Sequence, residues 1–220
     1  MTPMYKQIIS VLILLLLPGL AVAEQVKDQP RQVLFKNVNI FDGKNEKLKM
    51  GRDVLIEGNL IKHIGKGLKA GNGATVVEGN GRTLMPGLID MHTHLMFRYG
   101  VAIMRSDFDA QAAGAAAMET LQLYMKMGYT TVRDVGGNSL GLARNVAAGR
   151  LKGPRIYSSG GAISPISGHN DLAMFSEGPG EDVFTRRGDT HLISGPVEAR
   201  EATRKLLRGG ASQIKIMVGG

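Results

Sequence analysis

The 220-residue sequence contains no cysteine. Without thiols there is no disulfide framework, no thiolate nucleophile and no thiolate ligand, so the folded chain has to stand on its core. Aromatic residues make up only 5% of the chain, which leaves little to stack against bases, and the lysines and arginines behind the net charge of +8 are scattered rather than clustered. That combination describes a basic protein and argues against a nucleic-acid partner. A long apolar run is missing too: residues 8–17 are apolar, short of the ~20 residues that a membrane-spanning helix needs. Lys6 before that run, Pro18-Gly19 after it and Ala21-Val22-Ala23 make a charged start, an apolar middle and an A-x-A cleavage site. Residues 1–23 therefore read as a secretory signal peptide, which predicts a secreted or periplasmic protein with no stable membrane span after cleavage. The mature chain keeps +7, since only Lys6 is lost.

What remains changes rhythm once. Over residues 32–83 the runs are short and strand-like: VLFKNVNIFDG closes in Asp42-Gly43, RDVLIEGNLIKHIGKG turns at Glu57-Gly58-Asn59, and ATVVEGNGRTLMPG turns at Gly79-Asn80-Gly81. These predict a small antiparallel β-sandwich unit over residues 24–84, with His63 structural or facing solvent. After Pro86 strands and helices alternate. LIDMHTHL, YTTVRDVG, PRIYSSGGAI and SQIKIMVGG read as strands, while 108–127, 139–148 and a segment opened by Pro196 read as helices. The last helix has Glu198 early, Lys205 and Arg208 late and Gly209-Gly210 as its stop, as helix dipole and capping rules favour. Residues 164–195 are polar and glycine-rich, and His191 and Asp189 within them are assigned to solvent. Such alternation predicts an α/β unit over residues 85–220, its parallel strands joined by helical crossovers. No G-x-G-x-x-G lies between the first strand and the first helix, which counts against a dinucleotide site.

His92 and His94 stand at i and i+2 near the end of the first of these strands. Both side chains then leave on one face, where two neutral imidazoles can chelate zinc or a similar ion; a hydrogen-bonded pair in a packed interior is the other reading. Lys215 alternates with Ile214 and Ile216 on the fourth strand, and a lysine turned into a barrel is costly unless its charge is removed or paired. Arg133 and Asp134 end the second strand, where a carboxylate can fix neighbouring groups. His169, in Ser167-Gly168-His169-Asn170-Asp171, follows the third strand, in the kind of βα loop from which barrel active sites are built.

The string PGLIDMHTH at 86–94, preceded by a small β unit and followed by alternating helices and strands, resembles the opening of the amidohydrolase superfamily. IKIMVGG and the SGHND string are similar to segments of its imidazolonepropionase-like and Xaa-Pro dipeptidase-like branch. The resemblance implies the N-terminal half of a (β/α)8 TIM-type barrel. It implies that His92, His94 and Lys215 hold two divalent metals, zinc foremost, with Lys215 carboxylated by carbon dioxide to a bridging carbamate. His169 becomes a substrate contact and Asp134 a residue behind the ligands. The implied activity is a metal-dependent hydrolysis of amide C–N bonds by an activated water, with a dipeptide as substrate and a cyclic amide such as an imidazolone as the alternative.

That family also brings two more histidines from later strands and a general-base aspartate from the eighth, none of which lies within residues 86–220. A closed barrel takes ~250 residues, so the sequence reads as truncated after the fourth barrel strand. Two copies pairing as a homo-oligomer would still lack the aspartate. The rival expectation is a non-catalytic remnant that keeps partial metal affinity.

Overall fold

The computed structural model describes residues 31–100, 104–105, 110–179 and 181–219. The expected signal peptide, 1–23, and the first two residues of the helix expected over 108–127 lie outside them. The chain divides between Met85 and Pro86 into two compact units. Among the described residues no helix is long and apolar enough to cross a membrane.

The first unit is one five-stranded sheet built around β1 (Gln32–Ile40). β2 (Lys49–Glu57) pairs antiparallel with β1, and β3 (Leu60–Gly65) returns along β2 through the two-residue turn Gly58-Asn59, as the alternating runs predict. The rest corrects the expectation of an antiparallel sandwich. β4 (Thr75–Glu78) and β5 (Thr83–Leu84) do not form a hairpin; both lie parallel to β1, on either side of the turn at Gly79-Asn80-Gly81. The reason is a bulge in β1 at Asn37, whose φ is +50°. The turn follows that bulge, with Gly79 N–H donating to Lys36 O (2.7 Å) and Gly81 N–H to Asn37 O (2.8 Å). Val38, Ile40 and Val54 form the core, with Phe35, Ile56 and Leu84 packed on it.

The second unit is a mixed α/β arrangement. β6 (Leu88–Thr93), β7 (Tyr129–Asp134) and β8 (Arg155–Ser158) form a parallel sheet in that order. α1 (Ala110–Lys126) joins β6 to β7 and α2 (Leu140–Ala147) joins β7 to β8. Ala113, Ala116, Ala117, Thr120 and Leu121 of α1 are buried, a stripe at helical spacing. Its small side chains let the helix lie close to the sheet, where Leu121 meets Leu95 and Val132 and the alanines meet Met96.

Beyond β8 the structure departs from the expected single strand over 154–163. Gly160, at φ +67°, breaks it, and β9 (Ala162–Pro165) starts afresh. A Cβ on Gly161 would stand 2.3 Å from the Gly188 carbonyl oxygen, so this crossing admits only glycine. β9 pairs in parallel with β10 (Thr190–Ile193), which lies in the segment assigned to no element and follows the short helix α3 (Val183–Arg187). α4 (Pro196–Arg208) has the sequence-predicted Pro196 start and Gly209-Gly210 stop, and buries Ala202 and Leu206. The fourth expected strand is extended but makes one parallel bridge, Ile163 with Ile216. Ile163 N–H donates to Lys215 O (2.9 Å) and Met217 N–H to Ile163 O (2.8 Å). It falls short of a regular strand because no second neighbour pairs with it among the described residues.

Gly87 explains one letter of the PGLID string. A Cβ there would fall 2.1 Å from Thr130 Oγ1 and 2.6 Å from Thr130 Cβ, so the start of β6 can approach β7 only without a side chain. Gly87→Ala is expected to destabilise the chain by about 1–3 kcal/mol through overpacking. Gly141→Ala, with nothing within 4 Å of the added methyl, should be neutral or slightly stabilising in the same chemical-denaturation experiment.

Candidate metal centre

Parallel strands deliver their carboxyl ends to one edge, and the sequence-selected residues gather there. His92 lies in the last pleat of β6, Thr93 ends the strand and His94 follows directly. The two imidazole centroids lie 5.3 Å apart, with the ring planes 73° to each other. His92 is exposed, whereas His94 is half-buried, its ring stacked on Phe97 at 5.7 Å. His92 is held by its backbone: Asp90 Oδ1 accepts the His92 N–H (2.9 Å) while Asp90 Oδ2 accepts the Tyr124 hydroxyl of α1 (2.8 Å). The aspartate of the PGLID string thus pins the carboxyl end of β6 to the helix that follows.

The pKa of His94 is perturbed by its surroundings. Burial pushes its pKa below the ordinary imidazole value, the Gly136 backbone opposes this, and the charges of His92 and Lys215 push the same way as burial. Its Nδ1 is buried without a hydrogen-bond partner. A neutral imidazole keeps the lone pair that a metal needs. Lys215 is therefore within electrostatic reach of His94. It is half-buried, less enclosed than a barrel interior would make it. His169 is exposed, and its N–H donates to Gly219 O (3.0 Å), so the loop after β9 lies against the end of the Lys215 segment.

These donors fit a divalent ion in kind: two imidazoles at one strand end and an amine whose field reaches His94. They do not complete a site. Among the described residues no group of three or more His, Cys, Asp or Glu side chains is poised around one point.

Asp134 lies behind this edge and is fully buried. Its Oδ1 accepts the Leu95 N–H (2.9 Å), one residue past His94, and its Oδ2 accepts the Ser139 hydroxyl. Ser139 Oγ also meets Ser158 Oγ at 2.7 Å, which in turn accepts the Gly160 N–H (3.0 Å). Ser139 precedes α2 in a capping position, yet its hydroxyl caps nothing and is given to Asp134. One carboxyl thereby joins the β6–α1 loop, the start of α2 and the end of β8. Burial pushes its pKa up to about 7, partly offset by the Ser139 and Leu95 hydrogen bonds and reinforced by Asp189.

Asp189 and His191 are corrections. Asp189 is 1% exposed, accepts Arg187 Nε at 2.8 Å and the Asn138 N–H at 2.9 Å, and so fastens the α3–β10 excursion to the β7–α2 loop. It tolerates burial because Arg187, stacked over Phe184 at 5.0 Å, neutralises it. His191 is half-buried, its pKa lowered by burial and then by Lys205. The alternation Asp189, His191, Ile193 within a polar stretch was the sequence signal for β10. The role of Ser139 and Ser158 had none, since nothing in the sequence says that two serines 19 residues apart share a proton.

The raised pKa of Asp134 sets a pH dependence. The unfolded chain releases this proton near pH 3.8 and the folded chain near 7, so stability is full below about pH 4, falls as pH rises, and levels off above about 7. Asp134→Asn preserves the acceptor for Leu95 and offers an N–H to Ser139. Denaturant unfolding of the metal-free chain at pH 5 and pH 8 should show the stability advantage of the parent over the variant shrinking by at least ~1 kcal/mol across that interval.

Comparison with known proteins identifies the family. Residues 83–220 match the amidohydrolase family. Ochratoxinase of Aspergillus niger is 32% identical over 157 residues, which cover 62% of this chain and 31% of that enzyme. A crystal structure of a prolidase complexed with N-methylphosphonate-L-proline superimposes with a TM-score of 0.74 at 27% identity, covering 84% of this chain and 46% of that one. That of a Xaa-Pro dipeptidase with bound methionine in its active site gives a TM-score of 0.70 at 28% identity, with the same shares. The chain spans 31–46% of these relatives' length. Since the family match takes in the whole strand-and-helix unit with His92, His94 and Lys215, the chain belongs to the amidohydrolase family.

Proposed function

We propose that residues 24–220 are the N-terminal part of an exported, metal-dependent hydrolase of amide C–N bonds, with dipeptides, Xaa-Pro foremost, as the substrate class. The observation that carries the proposal is the gathering at one sheet edge of a neutral, partly buried His94, the neighbouring His92 and the Lys215 amine. The substrate class draws on the prolidase and the Xaa-Pro dipeptidase, both 27–28% identical over 84% of the chain. In this reading the sheet β6–β7–β8 and the Lys215 segment are the first four strands of a (β/α)8 barrel.

His92 and His94 would hold a divalent ion, zinc foremost, through their imidazole nitrogens, and Lys215, as a carbamate, would add anionic oxygen for two such ions. The carbamate forms when the unprotonated amine attacks carbon dioxide and gives up a proton. When bound, such ions supply Lewis acidity, acidifying a water and polarising the scissile carbonyl. Asp134 holds the loop that follows His94, and Asp90 holds the backbone of His92. His169, on the loop beside Gly219, is placed to meet substrate. The general-base aspartate is assigned outside residues 1–220.

The test is equilibrium dialysis of the 220-residue chain against Zn2+ or Co2+. Retention of metal should fall about tenfold or more in His92→Ala and in His94→Ala. A 13C resonance from a Lys215 carbamate should appear on adding 13C-bicarbonate with metal and vanish with EDTA. Hydrolysis of Xaa-Pro dipeptides is expected only from a polypeptide that also carries the missing base, and EDTA should abolish it. A parent chain that retains no metal, or retains it unchanged in both alanine variants, overturns the proposal.

A further inference from the structure

β7 runs into Val135-Gly136-Gly137, and the reading above gives this turn no task. We infer that Gly136 is a positioning residue for His94: its bare backbone is the wall against which the imidazole sits, leaving Nε2 as the nitrogen that meets an ion. This inference rests on the metal-site proposal and deepens it.

Three observations converge. Gly136 is buried with φ +154°, where a side chain is strained, and a Cβ on it would stand 3.1 Å from His94 Nδ1 and 3.3 Å from Cε1. The His94 edge that carries Nδ1 is therefore pressed against residue 136. That same Nδ1 is buried and closed to solvent, with the Gly136 backbone as its polar neighbour. Finally, Phe97 stacks on the face of the ring, with the planes 24° apart, and fixes its tilt while Gly136 fixes its edge. Gly137 belongs to the same wall: at φ +85°, its Cβ would lie 2.9 Å from Met96 Cβ, on the loop that carries Phe97.

The magnitudes explain why this wall must lack a side chain. A methyl on Gly136 would push the ring aside by a few tenths of an ångström. Metal–nitrogen bonds are about 2.0–2.1 Å long and tolerate roughly 0.2 Å, so that push is enough to spoil coordination while leaving the sheet beneath it in place. Loss of an orienting contact of this sort typically weakens metal binding about 10- to 100-fold. The tautomer follows from the same geometry: with the Nδ1 edge against the Gly136 backbone, the ring proton belongs on Nδ1 and the lone pair on Nε2.

Isothermal titration of the metal-free 220-residue chain with Zn2+ tests this on the parent, Gly136→Ala and Gly141→Ala. Gly136→Ala should bind about tenfold more weakly or worse, while Gly141→Ala, in open space on α2, should match the parent. Parent-like affinity in Gly136→Ala overturns the inference and leaves the metal site standing, whereas a parent that binds no zinc overturns the metal-site proposal and this inference with it. A second measurement needs no variant that has to fold. Long-range 1H–15N correlation on the apo parent should show His94 as the Nδ1–H tautomer, with Nε2 the nitrogen shifted on adding zinc; an Nε2–H tautomer overturns the inference.

Discussion

A single buried carboxyl organises the functional edge of this protein. Asp134 reaches a backbone N–H one residue beyond His94 and the hydroxyl of Ser139, and through Ser139 it reaches Ser158. Its own carbonyl accepts the Ser159 N–H (2.9 Å), so side chain and main chain of one residue tie three strand ends together. Left as an unpaired charge, a group with no exposed surface would cost several kcal/mol. Keeping its proton up to about pH 7 lets it serve as a hub of hydrogen bonds at far smaller cost.

Fixing the strand ends in this way fixes the imidazoles. His92 is located through its backbone, which Asp90 and Tyr124 tether to α1, and Arg133 Nε donates to the Met91 carbonyl (2.7 Å) from the adjoining strand. His94 is located through its ring, between Phe97 and the Gly136-Gly137 turn. Among the described residues no third His, Cys, Asp or Glu joins the two imidazoles around one point. The protein spends hydrogen bonds and packing on the posture of two side chains, which is what a site must do before an ion arrives.

The parts legible in the sequence were those with a local signature. Strand and helix order after Pro86 follows hydrophobic period and capping: Pro196 opens α4 and Gly209-Gly210 closes it because those residues restrict the backbone by themselves. The i, i+2 histidines were legible for the same reason, since two-residue alternation is a property of any strand. What stayed hidden depends on partners distant in sequence. The parallel placement of β4 and β5 comes from a bulge at Asn37, and β10 exists because β9 offers it an edge. Asp189 looks like a solvent residue until Arg187 and Asn138 are known to surround it. Gly136 looks like an ordinary turn glycine until the ring of His94, 42 positions earlier, is seen against it.

Charge is the remaining constraint on the edge. His92, His94 and Lys215 are all bases, and each positive charge makes the next harder to hold, as the effect of His92 and Lys215 on His94 shows. A divalent cation would add to that repulsion if Lys215 stayed an ammonium. Converted to a carbamate, the same side chain changes by two charge units, from +1 to −1, and turns repulsion into attraction. Without a third His, Asp or Glu at the point where the imidazoles meet, among the described residues, Lys215 is the group on this edge able to make that change.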